Sequence, residues 1–243
     1  MINKVIHYFW FGGKPLPKIA LKCIESWEKI LPDYEIKRWD ESNFDVNIIP
    51  YTAQAAKSGK WAFVSDYARY HVLYNEGGVY LDCDVEVLQP LDCFLENKMF
   101  SGFESANFVA PGLILGMEKN HDFGKLIIDV YRKKNFLLEN NKFDLTSVGQ
   151  IFTEELVKKG LICNNTLQEI NGVIIYPTNY FAPINPNTGE VIITNETYTI
   201  HHYAASWVPL KQKIKMYLVR QSNRYMFFNK LRTFYNKLFK KIK

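Results

Sequence analysis

The chain has 243 residues, 47% hydrophobic and 23% charged, enough to bury one substantial core with embellishments but short for two full domains. No apolar run approaches the roughly 18 residues of a membrane span. The N-terminus lacks the basic-then-apolar order of a signal peptide, and the four cysteines (Cys23, Cys83, Cys93, Cys163) lie too far apart for a zinc cluster, so an intracellular protein with reduced thiols is expected. The net charge of +5 divides unevenly: residues 211–243 hold eleven of the 30 Lys and Arg and no acid, leaving 19 basic against 25 acidic residues in 1–210.

In chain order, KVIHYFWF (4–11) is β-branched and aromatic, ends on Gly12-Gly13, and predicts a first strand. Residues 18–30 place Ile19, Cys23, Trp27 and Ile30 at helical spacing, with Pro32-Asp33 as the stop. YEIKRW (34–39) alternates as a second strand, 51–58 reads as a short helix, and 60–75 as a longer one stopped by Gly77-Gly78. EGGVYLDCDVEV (76–87) then reads as a strand. Further on, MFSGFE (99–104), GLILGM (112–117), GVIIYP (172–177) and VIITNETYTIHH (191–202) are expected strands, and 121–138 and 149–159 expected helices. Strands alternating with helices over the first 90 residues predict an α/β domain with a mostly parallel sheet.

The strand at 76–87 is unusual. Val79, Leu81, Cys83, Val85 and Val87 fall on one face, and Tyr80, Asp82, Asp84 and Glu86 on the other. Successive carboxylates would stand about 7 Å apart and repel unless solvent or a cation lies between them. Hard oxygen ligands suit Mg²⁺ or Mn²⁺, and a strand emerging after a helix is where α/β sheets gather ligands; alone, the pattern fits a solvated edge strand equally well. On the preceding helix, Asp66 and Arg69 are neighbours at i,i+3 among Phe63, Val64, Tyr67, Ala68 and Val72. A charged pair in such apolar surroundings needs hydrogen bonds or a ligand. Trp10 beside Gly12-Gly13 could stack on a base or lie in the core. HHYAASW (201–207) offers two imidazoles that face opposite ways if extended, so one at most serves a given site.

Taken in order, IHYFWFGG, SDYARYHVLYNEGGVYLDCD and HHYAASW resemble glycosyltransferase family 32, and also the catalytic domain of the large clostridial glucosylating toxins. The resemblance covers residues 1 to about 90 and resumes near 198–208. It implies a GT-A type nucleotide-sugar fold, a DXD motif, a divalent metal and retention of anomeric configuration. It further implies that Trp10 stacks on uracil, that Ser65 contacts the nucleotide, and that Asp66 and Arg69 hold the donor sugar, with Arg69 near the diphosphate. Tyr80 and Asp82 match positions at the ribose and sugar, and Asp84 the direct ligand of Mn²⁺ or Mg²⁺. His202 and Trp207 fall where the C-terminal motif closes over metal and diphosphate; His202 stands where the toxins have an acid. Retention through a carboxylate nucleophile finds no clear candidate, which leaves front-face attack with the departing diphosphate as base.

These features predict a GT-A domain over 1–210 that transfers a sugar from a UDP-sugar to a glycan or lipid-linked glycan in surface polysaccharide assembly. A toxin-like protein glycosyltransferase and a non-catalytic carbohydrate-binding protein are the alternatives. Residues 211–243 interleave Ile214, Tyr217, Leu218, Tyr225, Phe228, Leu231, Phe234, Tyr235, Leu238 and Phe239 with basic residues, the pattern of amphipathic helices that bind anionic membranes. With no nucleic-acid motif beside them, the expected location is cytoplasmic, peripheral at the inner face of the cell membrane. Deletion of 211–243 is therefore expected to abolish co-sedimentation with anionic liposomes, and unchanged binding would remove the membrane from the list of partners.

Overall fold

The computed structural model describes residues 1–185 and 188–204; Trp207 and the basic tail 211–243 lie outside the described residues. The chain begins β1 (Val5–Phe9), α1 (Lys18–Ile30), β2 (Glu35–Trp39), α2 (Pro50–Lys57), α3 (Trp61–Glu76) and β3 (Gly78–Tyr80), in the predicted order. Pro50 opens α2 at a position where its missing N–H is not needed. Gly77, at φ 70°, closes α3 and lets the chain turn straight into β3.

After β4 (Val85–Val87) come β5 (Met99–Ser105), β6 (Phe108–Val109), β7 (Leu115–Met117), α4 (Asp122–Arg132), α5 (Val148–Val157), β8 (Gln168–Ile170), β9 (Val173–Tyr176), α6 (Thr178–Phe181) and β10 (Thr199–His201). The main sheet runs β2-β1-β3-β7-β5-β9-β8, with β6 against β5. Strands β2, β1, β3, β5 and β9 point one way, and β7 and β8 run against them. The expected α/β architecture with a mostly parallel sheet is thus present. One core, built on Phe9, Tyr67, Tyr70, Tyr80 and Tyr131, packs α2 to α5 on one face. The other, with Ile6, Trp27, Val79, Leu81 and Phe181, packs α1 and α6 on the opposite face.

Residues 76–87 do not form the single strand their alternation predicts. β3 stops at Tyr80, and the chain turns so that the Val85 amide donates to the Asp82 carbonyl at 3.0 Å. β4 then leaves the main sheet and pairs antiparallel with β10. The cause is burial: Gly78, Val79 and Tyr80 are all buried between β1 and β7, and a carboxylate continuing on that line would be stranded without water. The chain turns where the acids begin. The strand expected over 191–202 shortens to β10, with an isolated bridge between Ile184 and Val191; β6 and β8 are too short to have left a pattern.

Trp27 fastens the second sheet to the first layer. Fully buried on α1, its indole Nε1 donates to the Val85 carbonyl at 2.7 Å. Trp27→Phe keeps an aromatic ring but strands that carbonyl, so unfolding in urea is expected to show a loss of about 1–3 kcal/mol.

Candidate active site

The parallel strands β1 and β3 end side by side, and the polar residues collect there, as α/β sheets dictate. The Cys83 thiol donates to the Phe9 carbonyl at 3.3 Å, joining the turn after β3 to the end of β1. Trp10 follows Phe9; it is half-buried, belongs to neither core, and donates from Nε1 to the Lys14 carbonyl at 2.5 Å. Gly12 carries this loop across Trp61 at the start of α3. A Cβ there would lie 2.5 Å from the Trp61 indole nitrogen, and its φ of +88° favours glycine as well.

Arg69 is the centre of the cluster. Only 4% exposed, it donates from Nε to the Ser65 carbonyl at 3.1 Å and from Nη2 to Asp66 at 2.9 Å. Its guanidinium carbon lies 4.4 Å from the centroid of the Tyr80 ring. Its Nη1 sits 3.8 Å from Asp82 and has no hydrogen-bond partner among the described residues. Burial works against the Arg69 charge, but Tyr80, Asp82 and Asp66 more than offset it and hold its pKa above the ordinary value. Burial pushes the Asp66 carboxyl up to about 7, against the pull of Arg69 and with a further push from Asp82. The Tyr80 hydroxyl donates to Asp82. Ser65 is half-buried, and its own hydroxyl returns to the Trp61 carbonyl at 3.3 Å.

The turn after β3 replaces the expected column of carboxylates by a convergent group. Asp82, Asp84 and His201 each present a ligand atom, all within 4.8 Å of one another. Asp84 is held on three counts: Oδ1 lies 3.2 Å from His201 Nε2, Oδ2 accepts the Ala204 amide at 2.7 Å, and its carbonyl accepts the His202 amide at 3.0 Å. Burial raises the Asp84 carboxyl, yet the His201 and Ala204 bonds outweigh it and the net shift is downward. Two carboxylate oxygens and one imidazole nitrogen at this separation fit a hard divalent cation such as Mn²⁺ or Mg²⁺.

The structure brings His201, and not His202, to the Asp82–Asp84 group. His202 Nε2 pairs instead with Glu86 at 2.7 Å, and Lys22 reaches the same carboxylate oxygen at 3.3 Å. The physical reason is alternation: consecutive residues at the end of β10 send their side chains to opposite faces, and the face of His202 is that of Glu86. Glu86 is therefore occupied by Lys22 and His202, outside the Asp82–Asp84 group. Trp207 lies outside the described residues.

Two further features had no sequence signal. Gly112 packs on the site: its carbonyl accepts the Asp82 amide at 3.2 Å, and a Cβ would stand 2.6 Å from Asp82 Oδ2. Glu104, at the end of β5, faces His201 with Oε1 4.0 Å from Nδ1. Burial raises its carboxyl, which His201 and a bond from Tyr203 only partly oppose.

Residues 17–101 match a family model described as a glycosyltransferase sugar-binding region containing a DXD motif. An uncharacterized glycosyltransferase of Acanthamoeba polyphaga mimivirus is 26% identical over 244 residues, 94% of this chain and 91% of the relative. The initiation-specific alpha-1,6-mannosyltransferase of Candida albicans is 32% identical over 116 residues, which is 45% of this chain but 29% of that enzyme. Among solved structures, the PaToxG glycosyltransferase matches at 20% identity with a TM-score of 0.48, covering 65% of this chain and 70% of that one.

Arg69→Met tests the buried pair. It leaves Asp66 without its cation, so its folded pKa rises beyond about 7 while the unfolded value stays near 3.8. The folded variant then binds more protons than the unfolded chain across that window, and its stability falls as pH rises. Removing one partner of a buried pair costs about 3–5 kcal/mol when the other stays charged. Urea unfolding is expected to show the larger deficit at pH 8 and a smaller one at pH 5, where Asp66 is neutral.

Proposed function

We propose that the chain is a DXD-motif glycosyltransferase, metal-dependent and retaining, moving a sugar from a nucleotide sugar to a glycan or lipid-linked glycan of a surface polysaccharide. The observation that carries this reading is the convergence of Asp82, Asp84 and His201 within 4.8 Å, beside an arginine whose Nη1 is buried and has no hydrogen-bond partner among the described residues. Asp82, Asp84 and His201 would hold the cation. The chemistry it supplies when bound is neutralisation of the charge on the departing nucleoside diphosphate.

The chain's own residues do the rest. Asp66 and the Ser65 carbonyl fix Arg69 in one rotamer, so its free N–H is set before any substrate arrives and no reorganisation is needed as charge develops. Tyr80 covers the guanidinium plane and fixes Asp82 by its hydroxyl. Trp10 stands at the exposed end of β1 as the base-stacking surface. The donor is a UDP-sugar on the resemblance of Trp10 to a uracil-stacking residue; mannose is a competing sugar, since the Candida albicans relative is named a mannosyltransferase.

Asp84→Ala is expected to abolish both metal-dependent binding of UDP and release of nucleotide from a panel of uridine and guanosine diphosphate sugars. Calorimetry and a nucleotide-release assay read the two separately. Full activity of Asp84→Ala in EDTA would sink the metal assignment, and binding without any nucleotide release would favour a carbohydrate-binding protein.

A further inference from the structure

Glu104 stands behind the proposed metal group and has no part in the reading above. It lies one residue before the end of β5, an interior strand of the main sheet, and its side chain is 23% exposed. The ring it faces is held in an uneven way. His201 Nε2 points to Asp84 at 3.2 Å, the metal side. His201 Nδ1 is buried and has no hydrogen-bond partner among the described residues, with Glu104 Oε1 4.0 Å away. Tyr203 packs on the ring with centroids 4.3 Å apart, which limits its rotation.

A neutral imidazole has one protonated nitrogen and one with a free lone pair. If Nε2 gives its lone pair to a cation, the proton must sit on Nδ1, and a buried N–H there needs an acceptor. Metal-binding histidines satisfy this demand with a carboxylate or carbonyl that fixes both tautomer and ring angle. Glu104 is the carboxylate on that side, and closing the gap to hydrogen-bond length takes about 1 Å of side-chain movement. The alternative tautomer would leave Nδ1 bare against a carboxylate, which is repulsive.

We propose that Glu104 is a positioning residue, accepting the Nδ1–H of His201 so that Nε2 is presented unprotonated to the cation shared with Asp82 and Asp84. This rests on the metal reading of the previous subsection. It adds a third element, β5, to a site otherwise built from the β3–β4 turn and β10.

Titration of the full-length protein with Mn²⁺ by calorimetry tests it, with the visible spectrum of the Co²⁺-loaded protein as a second readout. Glu104→Leu removes the acceptor and is expected to weaken Mn²⁺ binding by about 10- to 100-fold. Glu104→Gln keeps a neutral acceptor and should recover much of the affinity, while still shifting the Co²⁺ band. A residue that only packed would not show that partial rescue. Unchanged affinity and an unchanged Co²⁺ spectrum in Glu104→Leu would overturn the proposal. Should that variant fail to fold, a Glu104→Gln protein identical to wild type on both readouts overturns it equally. Asp84→Ala separates the two readings: if it still binds Mn²⁺ as wild type does, the metal site itself is wrong, whatever Glu104 does.

Discussion

A guanidinium almost entirely removed from water governs this structure. Arg69 keeps its charge at any accessible pH, so the protein must supply what water would have given. Asp66 and the Ser65 carbonyl provide it from the same helix, at i−3 and i−4, and Tyr80 at the end of β3 and Asp82 in the turn after it provide the rest. These partners fix how α3 and β3 sit against each other as firmly as the apolar packing does. They also explain Gly112, because the space where a side chain would stand is taken by Asp82 and Arg69. What is left over on that side is the Nη1 amino group, 3.8 Å from Asp82 in the carboxylate turn.

The turn itself is a compromise between the sheet and the acids. β3 is buried on both sides and can carry only apolar or fully satisfied residues, so a run of aspartates cannot continue along it. Turning at 82–84 brings two carboxylates toward each other instead of spacing them along a strand. That is costly unless something compensates, and the surrounding structure is arranged to hold it. Trp27 anchors Val85 from below, β10 pairs with β4 alongside, and the amide of Ala204 occupies one oxygen of Asp84. Structure that keeps like charges together against their repulsion is spent where function requires it.

The parts of this arrangement visible in the sequence are those set by local rules. The i,i+3 spacing of Asp66 and Arg69, the glycine after α3 and the periodicity of α1 each depend on neighbours along the chain, and each came through. The interruption of β3 did not, because alternation of apolar and acidic residues looks the same whether the strand continues or breaks. Burial between β1 and β7 decides that, and neither neighbour is near in sequence. The choice between His201 and His202 was readable only as an either-or: alternation says that one faces the site, but the register against β4 says which. Glu104 and Gly112 left no signal at all, being ordinary residues of a strand and a loop until the sheet brings them to Asp82 and His201.

The charge balance of the finished site explains why its parts come together. Asp82 and Asp84 with Glu104 behind them outweigh the unspent part of the Arg69 charge, since Asp66 already takes one face of the guanidinium. A nucleoside diphosphate is itself an anion. At about 4 Å and an effective dielectric near 20, each pair of like charges costs about 4 kcal/mol, so an acidic turn by itself would repel the donor that the proposed function requires. Arg69 Nη1 cannot reverse this alone, because Asp82 competes for it at 3.8 Å. A cation between the acids and the diphosphate, as the proposed function has it, would turn the turn's repulsion into affinity. If the chain acts as proposed, the aspartates would bind the metal first and the nucleotide through it, and the fixed arginine would contribute once the metal had reversed the sign of the field.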